Sequence, residues 1–141
     1  MANITFDYFE VMEEWGGEAS LETISGESIL TGRRGKFMRV DTTTGKAHYG
    51  NATSAGEVAI LHGLARTNQK HPGDAVTLFR YGLIDVGNEL DSLDFGAAVY
   101  LSDTDGLLST TAGTVSTVAG RVWPVALHDG TILKKLMIDL R

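Results

Sequence analysis

The sequence predicts an all-β fold, a small β-barrel or β-tulip-like sandwich with an extended N-terminal arm. Three observations predict it. Short apolar runs recur along the chain with the two-residue alternation of strands. Gly, Asp or Asn stands at nearly every gap between those runs, and 17 Gly against 2 Pro in 141 residues means many turns. Six or more short strands at regular spacing then read as a sandwich or small barrel.

Taken in order, residues 1–27 stand apart. They carry Phe6, Tyr8, Phe9 and Trp15 with a heavy acidic load and no base. Ile4, Tyr8, Val11 and Trp15 share a helical face, whereas Ile4, Phe6 and Tyr8 alternate as in a strand, and the residues leave both readings open. The segment is too small for a core of its own. Yet Ile4, Phe6, Tyr8, Phe9, Val11 and Trp15 are too apolar for an idle tail. Two placements follow: the segment docks on a partner as an added strand or amphipathic helix, or it folds back over the chain's own body. "SGESILTGRRG" is a polar, Gly-punctuated connector leading into the body, residues 28–141.

In the body, "GKFMRVD" alternates Phe37, Arg39 and Asp41 against Met38 and Val40. "GEVAILHGLA" is a short apolar run, expected for a strand covered on both faces. "DAVTLFRYGLIDVG" is rich in β-branched and aromatic residues and reads as one long strand. "VGNELDSLDFG" is a loop with a helical turn that sets Leu90, Leu93 and Phe95 on one side. "AAVYLSD", "GRVWPVALH" and "TILKKLMIDL" complete the strands. Pro124 cannot donate to a ladder, so its strand has an edge or bulge there. Trp123 beside it belongs either to the core or to a subunit seam, which makes Trp123 and Pro124 the candidate oligomer interface.

The two halves of the body share a pattern. Each reads strand, Asp-Thr turn, strand, linker, buried strand, turn, long strand, with "DTTTG" after Val40 matched to "DTDG" after Ser102. This points to an internal duplication. It also bears on Asp103 and Asp105. A calcium loop needs more oxygen ligands, such as a Glu near the twelfth position, where Ser, Thr and Ala stand instead. A catalytic carboxylate pair needs a cleft with contrasting environments. An Asp that caps a tight turn, followed by Gly for positive φ, explains both stretches.

Other chemistry is sparse. His48, His62, His71 and His128 are not at metal-ligand spacing, and adjacent His128 and Asp129 point to opposite faces of a strand. "AGTVSTVAG" lacks the lysine and following helix of a phosphate loop, and no nucleophile elbow or dinucleotide fingerprint occurs. The expectation is a protein with no catalytic site, no metal and no cofactor. Without cysteine, disulfides and thiol chemistry are excluded. The net charge of -6, with only Arg33-Arg34-Lys36 and Lys134-Lys135 as basic clusters, argues against nucleic acid. No apolar run approaches the ~20 residues of a membrane helix, and the acidic start lacks a signal peptide's basic region, so a soluble, unexported protein is expected.

The succession "FMRVDTTTGKAHYGNATSAGEVAILHGLA", "VTLFRYGLIDVG" and "GAAVYLSDTDGLLSTTAG…AGRVWPVAL" resembles the head-decoration (cement) proteins of tailed bacteriophages. The likeness covers roughly residues 28 to 141 and rests on strand and turn grammar. His62 departs from it, standing where the pattern has a small or apolar residue. The resemblance implies a compact barrel or tulip-like body and a homotrimer on the outer surface of the virion's capsid. It also implies an N-terminal arm that binds the major capsid protein, and no catalysis. Two alternatives stay open: a head–tail connector or tail-tube component of the same particle, and a small ligand-binding β-module.

Overall fold

A computed structural model of the chain describes residues 3–6, 8–17, 19–26, 34–67 and 71–141. It is nearly all β, with two antiparallel sheets. One has five strands: β3 (Ser20–Ile24), β4 (Phe37–Val40), β5 (Ala47–Tyr49), β6 (His62–Ala65) and β7 (Ala75–Phe79). The other has seven: β1 (Asn3–Ile4), β2 (Glu10–Glu14), β8 (Tyr81–Asp85), β9 (Ala98–Leu101), β10 (Leu108–Ser109), β11 (Val118–Ala126) and β12 (Ile132–Asp139). A single helical turn, α1 (Ala55–Val58), lies between β5 and β6.

The strand orders reveal the duplication. The first sheet runs β3-β7-β6-β4-β5, and within the second the same order recurs as β8-β12-β11-β9-β10. Five consecutive strands therefore make one unit at residues 20–79 and, again in the same order, another at 81–139. The turn after the second strand of each unit is built alike. Asp41 N–H donates to Lys46 O at 2.9 Å and Ser102 N–H to Leu107 O at 3.1 Å. The caps match too, Thr43 N–H to the Asp41 carboxylate at 2.9 Å and Thr104 N–H to the Ser102 hydroxyl at 3.0 Å. Gly45 at φ 74° and Gly106 at φ 75° take the same left-handed position. Asp41 is thus equivalent to Ser102, one residue earlier than the matching of the two Asp-Thr pairs suggests.

The units differ in how their outer strands are joined. In the first, Ser25 bridges to Ala47, and Gly26 N–H donates to Ala47 O at 2.8 Å, so the edges β3 and β5 are drawn together. In the second, the N-terminal segment supplies the extra strands. β1 pairs with β10 and β2 with β8, one on each edge. Where an extended arm was expected, the described strands β1 and β2 pair with the second unit. β1 and β2 belong to the sheet of the second unit and β3 to that of the first, so strands from before residue 27 share both sheets with the body. The connector residues 27–33, where the arm–body boundary was expected, lie outside the described residues.

Two apolar clusters follow from strand alternation. Met38, Val40, Ala47, Ala65, Val76 and Leu78 pack on one face of the five-stranded sheet. On its other face, Phe37, Leu64 and Phe79 join Ile84, Val99, Leu101, Val122, Leu136 and Ile138 in the larger core between the sheets. Strands buried on both faces explain the continuous apolar reading of β6, all four of whose residues are buried.

Two segments fold otherwise than expected. "GEVAILHGLA" is not one strand, because Ser54 caps a helical turn by accepting from Glu57 N–H at 3.4 Å. "VTLFRYGLIDV" is two strands in different sheets, broken at Arg80. The Arg80 guanidinium donates to His62 O at 3.1 Å and Leu140 O at 3.2 Å, which ties the break to β6 and the chain's end.

Candidate interaction surface

The six N-terminal residues expected to meet a partner separate by burial. Ile4 and Phe9 are buried in the main core, and Phe6 and Val11 are partly buried against it. Within the chain, Ile4 and Phe9 are thus occupied by the core, and Phe6 and Val11 offer only part of their surface. The reason is pairing: with β1 and β2 on the edges of the second unit, their inward side chains complete its core. Tyr8 keeps an exposed ring, and its hydroxyl donates to Glu10 at 2.9 Å. Nearby Met12 sits at the irregularity of β2 between Val11 and Glu13 and is also exposed.

Trp15 and Trp123, expected in two different interfaces, meet each other. Their ring centroids lie 5.9 Å apart at 64°, and Trp15 stands edge-on to Tyr81 at 5.3 Å and 82°. The Arg141 guanidinium lies 3.6 Å from the centre of the Tyr81 ring and pairs with Asp139 at 3.1 Å. Such edge-to-face pairs add about 0.5–1.5 kcal/mol each beyond burial. Trp123 is 40% exposed, so this aromatic cluster lies at the surface, neither core nor free.

Pro124 lies where its missing N–H has no ladder to feed. Val122 N–H points away from β12, to Ala97 O at 3.0 Å, and Leu127 N–H points toward it, to Thr131 O at 2.8 Å. By alternation Pro124 faces the same way as Val122, past the end of β9. The expected edge is there, and proline blunts it against strand addition. Beyond Val122 on one side and Leu136 on the other, β11 and β12 form ladders only with each other among the described residues. The hairpin ends in Leu127 and Ile132, 44% and 56% exposed. It closes through Gly130 at φ 88° and an Asp129 carboxylate that accepts from Thr131 N–H at 2.9 Å, a bond that holds the Asp129 carboxyl below its ordinary range.

The acidic turns are architectural, in two different ways. Asp41 caps its own turn, and the N–H groups of Thr44 and Thr43 hold its carboxyl below the usual range. Asp103 instead latches a distant loop, accepting from Thr114 N–H at 2.8 Å and Thr114 hydroxyl at 2.9 Å. Asp105 accepts from the Asn51 side-chain amide at 2.6 Å, joining the two units. An Asp105→Ala protein is accordingly expected to lose about 1 kcal/mol. Its melting temperature and the parent's should both be indifferent to added calcium. Calcium stabilisation of the parent that vanishes in the variant would restore the metal reading.

His62 is buried against Phe37, ring centroids 5.4 Å apart, with its Nδ1 2.9 Å from Val58 O, and burial pushes its pKa down. Among the described residues, no three His, Asp or Glu side chains gather as metal ligands do.

The sequence reading missed one further exposed apolar site. Ile60 is 85% exposed and Leu61 43%, beside Ala59, which holds φ 61° and ψ 173°. That backbone is strained for a residue with a Cβ. In the sequence the three residues read as the middle of a buried strand. The capping pattern Ser54-x-x-Glu57 was the available sign that the chain turns there. In comparison with family models, curated proteins and solved structures, no match to this chain emerges.

Proposed function

We propose that the chain is a structural, non-catalytic component of a tailed-phage head. In this reading it is a decoration (cement) protein with a barrel-like body, bound to the major capsid protein on the outer surface of the expanded virion shell. It bridges capsid subunits as a homotrimer, without cofactor, nucleic acid or membrane. The observation that carries the reading is where exposed apolar residues sit: on projecting or edge elements, with Leu127 and Ile132 on the hairpin, Ile60 and Leu61 after α1, Tyr8 just before β2 and Met12 on it. Such surfaces serve assembly. The resemblance of residues 28–141 supports the particular assembly, and a net charge of -6 suits a face turned away from packaged DNA.

The physical gain is avidity. A modest patch on each protomer holds a shell firmly once a trimer engages several capsid subunits, because the later contacts are intramolecular. Tyr8 and Met12 form the shell-facing contact in this reading. Sedimentation with expanded heads, assembled from a capsid protein encoded beside this gene, tests it. Joint replacement Tyr8→Ser and Met12→Ser should weaken binding tenfold or more, about 1.4 kcal/mol, without lowering the melting temperature. Full-strength binding by that variant would remove β2 from the contact. Failure of the parent to bind any such head would sink the decoration reading. Tubes formed by the purified protein alone would move it to a tail-tube or connector component.

A further inference from the structure

The duplicated units allow one place in the fold to be compared with its counterpart. In the second unit, the space between the turn at 102–107 and the chain entering β11 is filled by a segment of the first unit. Ala52 lies there fully buried, its N–H donating to Ser102 O at 2.8 Å and its carbonyl accepting from Val115 N–H at 2.6 Å. The matching bonds Val40 N–H to Leu61 O and Leu101 N–H to Thr117 O, both 2.9 Å, align residue 59 with Val115. In the first unit the equivalent space, bounded by Val40, Asp41, Thr42, Val58, Ala59 and Ile60, is an open groove of about 620 Å³. A more apolar recess of about 320 Å³ continues it toward Leu61. With Ile60 at 85% exposure, the described residues leave the groove uncovered.

We propose that the tip of the β11–β12 hairpin of a second copy of this chain fills the groove. What the groove lacks is what its counterpart has, an extended segment contributed by another unit. What the hairpin lacks is a surface for its apolar end. Past the contacts of Val122 with Ala97 and of Lys134 with Asp91, the tip at 125–132 projects by about 10 Å, and its counterpart in the first unit, β6 to β7, has strands of 4 and 5 residues against 9 and 8. Among the described residues the long strands therefore belong to the second unit, as the open groove belongs to the first.

Hairpin and groove are different surfaces, so the contact is head-to-tail and either closes into a ring or runs on as a filament. One such contact is small against the roughly 800 Å² per partner of a stable interface. A closed ring gives every protomer two, one through its hairpin and one through its groove. The number of copies, three, rests on the reading under Proposed function, whereas the contact itself does not.

The chain has no cysteine, which makes the test direct. Ile60→Cys and Ile132→Cys proteins, both substituted at exposed positions, are oxidised separately and mixed, with and without heads. Cross-linked dimers are expected in the mixture and not in either protein alone. In sedimentation, Ile60→Asp should shift the parent's trimers to monomers, weakening association at least tenfold with an unchanged circular dichroism spectrum. An oligomeric parent whose mixed cysteines stay unlinked would overturn the contact and leave the trimer standing. Linkage in either single variant would replace the head-to-tail contact by a symmetric one. A parent that is monomeric at every concentration, and unlinked on the shell, would remove contact and trimer together, while shell binding by that monomer would keep the decoration reading.

Discussion

Deletion of residues 2–15 is expected to unfold the protein, not merely to detach it from a partner. The segment contributes the buried side chains of Ile4 and Phe9 and the only ladders on the outer edges of β10 and β8 among the described residues. Phe9→Ala alone should cost about 3–5 kcal/mol, since a buried Phe leaves both lost transfer energy and a cavity. The whole of a domain's stability is commonly about 5–15 kcal/mol. Loss of both side chains and both strands consumes most of that, and it also bares two sheet edges to aggregation. Thermal melting of the truncated and Phe9→Ala proteins measures this. A truncated protein that melts within a few degrees of the parent would show that residues 2–15 are a separable arm after all.

Gly82→Ala is expected to be nearly as damaging, although it adds one methyl group. Gly82 holds φ 144°, a conformation that side chains rarely adopt, and a Cβ there would sit inside the van der Waals envelope of the Glu13 carbonyl oxygen. Both obstacles are backbone and cannot swing aside. Relief would require β2 to leave β8 at the register Glu14↔Gly82, taking Trp15 away from Tyr81. A loss of about 3–4 kcal/mol in urea unfolding is expected, together with increased exposure in tryptophan fluorescence. Near-parental stability with unchanged fluorescence would mean that β2 does not cross there.

Strand content was legible because alternation follows burial: Leu136 and Ile138 are buried, while Met137 between them and Asp139 after them are more open. The duplication was legible as a pattern, since turns must place Gly at fixed offsets, but its register was not. Asp41 and Ser102 cap equivalent turns with different side chains, and matching the aspartates shifts the alignment by one. The placement of residues 3–14 could not be read at all from composition. An apolar strand that completes its own core has the same residues as one that completes a neighbour's, and the choice depends on which edges remain open after 81–139 has folded. Ile60 was misplaced for a similar reason. An exposed isoleucine and a buried one look alike until the chain's turn at Ala59 is known.

The way the second unit is closed sets an order of events in the cell. Residues 3–14 leave the ribosome well before their partners at 81–109, and the strand β12, which β8 also needs, ends at residue 139. At 5–20 residues per second the N-terminal strands wait on the order of ten seconds for a sheet to join. During that time 20–79 has every partner of its own five-stranded order available and can pair locally. The last step to native structure is then a long-range closure between β1 and β2 and strands made much later. Such non-local pairings fold slowly. Any sequence fused ahead of Asn3 would be carried through that step, so a bulky N-terminal tag should burden folding more than a C-terminal one does.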